Sequence, residues 1–208
     1  MSGPIITIDG PAGAGKSTIA RRVAERLGLR YLDTGAMYRA VTWKAIREGI
    51  EDPLLIAKMI PGTRIEVGER VVVDGTDVTT EIRTPELTRR VRPVAATPEC
   101  RVELVRLQRE IGREGGLVSE GRDQGSVVFP GAEFRFYLDA SVEERARRRQ
   151  AESGGDLETI LRDIEARDES DRTRPVGPLV KPEGAIVLDS TPMSIDEVVE
   201  RICSLVNR

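Results

Sequence analysis

Eight residues near the start of the chain, Gly10-Pro11-Ala12-Gly13-Ala14-Gly15-Lys16-Ser17, have the types and spacing to hold a triphosphate. Glycines let backbone N–H groups turn inward onto phosphate oxygens, and the helix that follows adds partial positive charge at its N-terminus. Lys16 is placed to reach the β- and γ-phosphates and Ser17 to offer its hydroxyl to Mg²⁺. The cofactor-binding set is therefore Gly10, Gly13, Ala14, Gly15, Lys16, Ser17 and Thr18, with Ser17 the metal-binding residue. The chemistry expected of such a P-loop is transfer of the γ-phosphoryl group of ATP.

The acceptor must be sought elsewhere. Arg39, in Thr34-Gly35-Ala36-Met37-Tyr38-Arg39, falls one helical turn beyond a strand-end loop, and Arg122 stands at another strand end in Gly121-Arg122-Asp123. Two guanidiniums there can clamp a second phosphate bidentately. Arg167, Asp171 and Arg174 are spaced at i, i+4 and i+7, which predicts one helix face. Arg145, Arg148 and Arg149 add cations on the preceding segment, and Gly154-Gly155 makes a flexible tip, so the two segments read as a closing lid. Each cluster also has a plainer reading. Charged helix faces usually meet solvent, where ion pairs stabilise by only tenths of a kcal/mol. Only four of the 32 basic residues are lysine, a bias that codon usage alone can produce.

The elements that must position these groups alternate. Strands are predicted at Pro4–Asp9, Tyr31–Asp33, Leu117–Glu120, Glu133–Leu138 and Ala185–Asp189. Helices are predicted at Lys16–Leu27, Ala36–Glu48, Pro98–Glu114, Ser141–Glu152, Asp156–Asp171 and Ser194–Val206. That order implies an α/β fold with a five-stranded parallel sheet wrapped by helices, whose ligands bind at the C-terminal strand ends. Two short β-like runs, Arg64–Val67 and Val71–Asp74, interrupt the alternation ahead of an Asp74-Gly75 turn. They mark residues 61–94 as a small β-containing insert. The core then comprises 1–60, 95–140 and 172–208, and the helical lid 141–171.

Composition narrows the function. The net charge of −3 gives no reason to expect nucleic acid or a membrane surface as partner, and the absence of histidine excludes His-based acid–base or metal chemistry. Cys100 and Cys203, far apart and outside any CxxC, read as free thiols of a cytoplasmic protein. The single asparagine, Asn207, leaves no guanine-reading N-K-x-D, which argues against a GTPase switch. Leu117-Val118-Ser119-Glu120 only weakly matches the second carboxylate motif of larger ATPases.

The chain resembles the bacterial cytidylate kinases. The resemblance rests on the P-loop with its leading Ile6-Thr7-Ile8-Asp9, on Tyr31–Arg39, Glu81–Glu86, Glu120–Gly125, Val127–Pro130, Arg167–Arg172 and Leu188–Thr191, in that order along nearly the whole chain. It implies a P-loop kinase fold and the substrates CMP and dCMP in a monomer of pyrimidine metabolism. By position, it implies that Arg39 and Arg122, with Arg83, hold the acceptor phosphate. Thr34, Asp123, Arg101 and Arg174 match residues lining the cytosine pocket, and Arg167 and Asp171 match residues that reach the ribose. Lys16, Arg122, Arg148 and Arg167 form the catalytic set that neutralises charge on the transferring group. Cytosine offers an amino donor beside two acceptors, so Thr34 and Asp123 can accept while Arg101 and Arg174 donate. Three departures stand out. Thr34 replaces the usual serine, Glu51–Thr63 is short, and Arg92 occupies a position where a small hydroxyl residue often meets the base. Two alternatives stay open at this stage. One is a small P-loop kinase for another monophosphate or for a metabolite such as shikimate; the other is an ATP-binding regulatory module without transfer activity.

Overall fold

The computed structural model describes residues 3–207. Two compact units divide the chain, one up to Tyr31 and again from Gly115, the other Leu32–Glu114.

The first unit is built on a five-stranded sheet of β1 (Ile5–Asp9), β2 (Arg30–Asp33), β6 (Leu117–Gly121), β7 (Phe134–Asp139) and β8 (Ile186–Asp189), in the order β2-β6-β1-β7-β8. Strand β2 passes from this unit into the second. β1 pairs in parallel with β6 and β7, and β7 with β8. The register sets Asp9 opposite both Gly121 and Tyr137, so the chain leaves β1 and β6 at one level of the sheet. Its helices are α1 (Lys16–Leu27), α7 (Val142–Ser153), α8 (Leu157–Thr173) and α9 (Ile195–Val206). Ile6, Ile8, Val118, Phe136 and Leu138 of the strands pack with Ile19, Val23, Val198 and Ile202 of α1 and α9. Ser194 caps α9 in a reciprocal capping box with Glu197.

The predicted strands and helices are found to within a residue or two at each end. One expectation fails. Helix α8 ends at Thr173, and Arg174 is extended, with φ −63° and ψ 140°. The cause is Pro175, whose ring disfavours helical geometry in the residue before it. Arg174 therefore does not extend the helix face of Arg167 and Asp171.

The second unit holds α2 (Thr34–Arg47), α3 (Pro53–Met59), the antiparallel strands β3 (Ile65–Val67), β4 (Val71–Val73) and β5 (Thr76–Asp77), then α4 (Pro85–Arg90), α5 (Arg92–Ala96) and α6 (Pro98–Gly112). Residues 61–94 lie within it. Val71, Val73, Val78, Ile82 and Leu87 pack on Ala36 and Ala40 of α2. Asp74 takes a positive φ of 48° ahead of Gly75, the turn its Asp-Gly pair signals. Its carboxylate accepts from Lys44 at 2.5 Å. No helix among the described residues is long and apolar enough to cross a membrane.

Candidate active site

The P-loop leaves β1 through Gly10, where a Cβ would lie 2.0 Å from the Leu138 carbonyl oxygen. Only a bare backbone passes there. Gly13 and Gly15 take φ of 77° and 83°, and Gly15 caps α1 in the left-handed region that glycine tolerates. Gly13, Ser17 and Thr18 are exposed, whereas Lys16 is 5% exposed. The Lys16 ammonium donates to the Pro11 carbonyl at 2.7 Å. Burial, then the charge of Arg122, brings its pKa down to about 7. The Ser17 hydroxyl donates to Glu120 Oε1 at 2.7 Å. A hydroxyl beside a carboxylate is a hard oxygen donor set, suited to Mg²⁺ completed by phosphate oxygens and water.

Asp9, at the end of β1, accepts from the backbone N–H of Gln124 at 2.8 Å and of Gly125 at 2.7 Å. Burial raises its carboxyl to about 7 against those two hydrogen bonds. The bonds tie the root of the P-loop to the turn directly after Arg122 and Asp123.

Around that turn the first unit gathers four of the expected acceptor residues. Arg122 Nε donates to Asp171 Oδ2 at 2.7 Å. Arg174 Nη1 lies 3.6 Å from Asp171 Oδ1, and Nη2 lies 3.9 Å from Asp123 Oδ1. Arg174 Nε donates to the Gly177 carbonyl at 2.5 Å, which holds the side chain in place although its backbone has left the helix. Burial works against the Asp171 carboxylate, yet the charges of Arg122, Arg174 and Arg167 hold its pKa below the usual range. Arg167 is exposed on α8. Its charge reaches Lys16 and Asp171.

The cations expected on the first lid segment separate into different roles. Arg149 is exposed and faces Glu152. Arg148 donates through Nε to Glu144 at 3.0 Å and through Nη2 to the Ser190 carbonyl at 2.6 Å. Arg145 is 4% exposed and bonded inward. Sequence reasoning counted Arg145 as a lid cation and passed over Asp168, its partner at 2.6 Å. Nothing in charge spacing alone separates a buried arginine from an exposed one.

In the second unit, Thr34 opens α2 and is 3% exposed. Asp33 caps that helix by accepting from Ala36 N at 2.7 Å. The same carboxylate lies 3.2 Å from Arg39 Nη2 and 3.7 Å from Arg83 Nη2. Two arginines thus converge on one buried carboxylate. The Nε of Arg39 is buried with no hydrogen-bond partner in the protein. Arg101 is 2% exposed, its guanidinium 5.7 Å from the Tyr38 ring centre. Arg92 is exposed at the start of α5.

Comparison with known proteins bears on the family. The family model described as cytidylate kinase matches residues 6–208. A cytidylate kinase from Desulforamulus reducens is 50% identical over 214 residues, covering 98% of this chain and 96% of its own. One from Geobacillus sp. (strain WCH70) is 47% identical over 214 residues, with coverage of 97% and 96%. Among solved structures, a gluconokinase from Sinorhizobium meliloti aligns with a TM-score of 0.55 at 16% identity, covering 100% of this chain and 93% of that one. That likeness speaks to the fold alone. The match along residues 6–208 and the two relatives at half identity together decide the family: the chain belongs to the cytidylate kinases.

Proposed function

We propose that the chain transfers the γ-phosphoryl group of ATP to CMP or dCMP, giving ADP and CDP or dCDP. The observation that carries this reading is the cluster of Lys16, Ser17–Glu120 and Arg122–Asp171–Arg174 in one unit, in a chain of the cytidylate kinase family.

The acceptor is a phosphate monoester, already ionised near neutral pH, so no general base is needed and the lack of histidine is no obstacle. Catalysis is positioning plus charge neutralisation. Lys16 leaves the Pro11 carbonyl to meet the β- and γ-phosphates. Backbone N–H groups around Gly13, Ala14 and Gly15 hold the donor, with Thr18 beside them. Ser17, backed by Glu120, supplies oxygen to Mg²⁺, which when bound neutralises phosphate charge. Arg122, held by Asp171, meets the acceptor phosphate; Arg39 and Arg83 of the second unit share that task. Thr34, Arg101, Asp123 and Arg174 read the cytosine, and Asp171 with Arg167 reads the sugar. Arg148 and Arg167 neutralise the transferring group. Residues 61–94 are the acceptor-binding insert and 141–171 the lid, whose closure keeps water from the γ-phosphate. The setting is a cytoplasmic monomer serving pyrimidine nucleotide metabolism.

A coupled ADP-release assay across CMP, dCMP, UMP, AMP, GMP and dTMP tests the reading. CMP or dCMP should turn over best. ATP binding with no transfer to any monophosphate would instead favour a regulatory module.

A further inference from the structure

Ala12, in the first turn of the P-loop, has both of its backbone groups taken by side chains more than 130 residues away. Its N–H donates to Asp168 Oδ1 at 3.1 Å. Its carbonyl accepts from Arg145 Nη1 at 2.8 Å. The same Nη1 lies 2.6 Å from Asp168 Oδ2, closing a ring of three partners. Arg145 Nε donates to the Ala140 carbonyl at 3.0 Å, just past β7. Arg145 and Asp168 are 4% and 2% exposed. Gly13, the next residue, lies flush against this pair, since a Cβ there would sit 3.2 Å from Arg145 Cβ. On the other side of Ala12, the Pro11 carbonyl receives Lys16.

A buried ion pair is a weak contributor to stability, and well-packed apolar residues often serve as well. This pair does something apolar residues cannot. It specifies the direction of both polar groups of one P-loop peptide, within a turn whose N–H vectors must converge on phosphate. The helix that supplies Asp168 also carries Arg167 and Asp171, so the bond fixes that helix to the cradle at the same point.

We propose that Asp168, with Arg145, is a positioning residue for the donor phosphates, setting the first turn of the P-loop and fastening to it the root of the helix that bears Arg167 and Asp171. This inference rests on the reading of the P-loop as an ATP site. Residues 145 and 168 both fall in the stretch assigned to the lid, so the lid is anchored at its base to the loop that holds the donor. Neither side chain touches substrate in this account; both act through the backbone of Ala12.

The test compares wild type with Asp168→Asn and Arg145→Lys by calorimetric binding of a non-hydrolysable ATP analogue, steady-state kinetics and thermal unfolding, all below the transition of the least stable variant. Asparagine still accepts from the Ala12 N–H but no longer faces Arg145 with charge. Lysine keeps the charge but cannot reach Ala12, Ala140 and Asp168 together. Each variant should weaken analogue binding and raise KM for ATP by about tenfold or more, as small misplacements of positioning groups do. KM for the monophosphate acceptor should rise less than KM for ATP, since Arg167 and Asp171 feel the pair only through their shared helix, whereas Ala12 is bonded to it directly. If Asp168→Asn does not fold, Arg145→Lys carries the same comparison. A purely structural pair predicts a lower unfolding temperature with wild-type ATP affinity and KM in the folded fraction, and that result would overturn the inference. Wild-type protein that binds no analogue would instead remove the ATP reading itself, so the two failures are distinguishable.

Discussion

Replacing Arg122 by alanine separates the acceptor half of the site from the donor half. The side chain is 16% exposed and its partner Asp171 18%, so the pair is neither a surface bridge nor fully buried. Asp171 keeps Arg174 at 3.6 Å when Arg122 is removed. The loss of stability should therefore fall below the ~3–5 kcal/mol of a buried pair broken on one side. A value of about 1–2 kcal/mol corresponds to roughly 2–8 °C in Tm for a chain of this size. The effect on turnover is larger. A guanidinium giving two charge-assisted hydrogen bonds to the acceptor phosphate contributes about 1.5–3 kcal/mol for each. Their sum of about 3–6 kcal/mol is roughly 10²- to 10⁴-fold in kcat/KM for the acceptor. The donor side should move the other way. After burial, the charge of Arg122 is the largest influence lowering the Lys16 pKa. Without it Lys16 holds its proton more firmly at neutral pH, and affinity for an ATP analogue should be equal or tighter. The assay pairs steady-state kinetics, varying CMP at saturating ATP, with calorimetry of the analogue. Acceptor kcat/KM within about threefold of wild type would remove Arg122 from the acceptor site, as judged against the range above. An equal fall in ATP affinity and turnover would make it a support of the cradle instead.

Other outcomes follow from the same geometry. Burial and the charge of Arg122 bring the Lys16 pKa down to about 7, and a bound triphosphate must raise it, so the complex should hold more protons than the separated partners. ATP affinity should fall as pH rises above about 7, and calorimetry in buffers of different ionisation enthalpy should record net proton uptake; an uptake of zero contradicts a depressed Lys16. Gly10→Ala sets a Cβ against the Leu138 carbonyl at 2.0 Å, backbone on backbone. Urea unfolding should show a loss of about 3 kcal/mol or more, beyond ordinary overpacking. Phe136, 0% exposed in the middle of the sheet, should cost about 3–5 kcal/mol on truncation to alanine.

Much of this was legible before the structure. The β-branched run ending in Asp-Gly placed β1, and the short apolar starts ahead of Asp-Thr and Glu-Gly placed β2 and β6; β1 and β6 are interior strands, which have few other spellings. The P-loop needed only its own residues and flanks. Two features are readable in the sequence beyond the elements above. Pro175 takes Arg174 off the helix face that the i, i+4, i+7 spacing implies, and Asp52-Pro53 announces the start of α3, where Asp52 accepts from Leu54 N at 2.9 Å and Pro53 takes the first helical position. The pairing of Arg145 with Asp168 was not legible. Which of many arginines turns inward depends on where α7 and α8 meet the P-loop, a tertiary fact with no local spacing. The role of Asp9 was hidden for the same reason, since its partners are backbone groups 115 and 116 residues away.

A competition experiment bears on the whole account at once. Purified protein is given limiting Mg–ATP and an equimolar mixture of CMP, dCMP, UMP, AMP, GMP and dTMP, and the diphosphates formed are separated and counted by anion-exchange chromatography. CDP and dCDP should lead, because uracil reverses part of the donor–acceptor pattern proposed for Thr34, Arg101, Asp123 and Arg174, a mismatch that in a dedicated site can reach about 10⁴-fold. A different diphosphate in the lead, or ADP released with no monophosphate consumed, would contradict it.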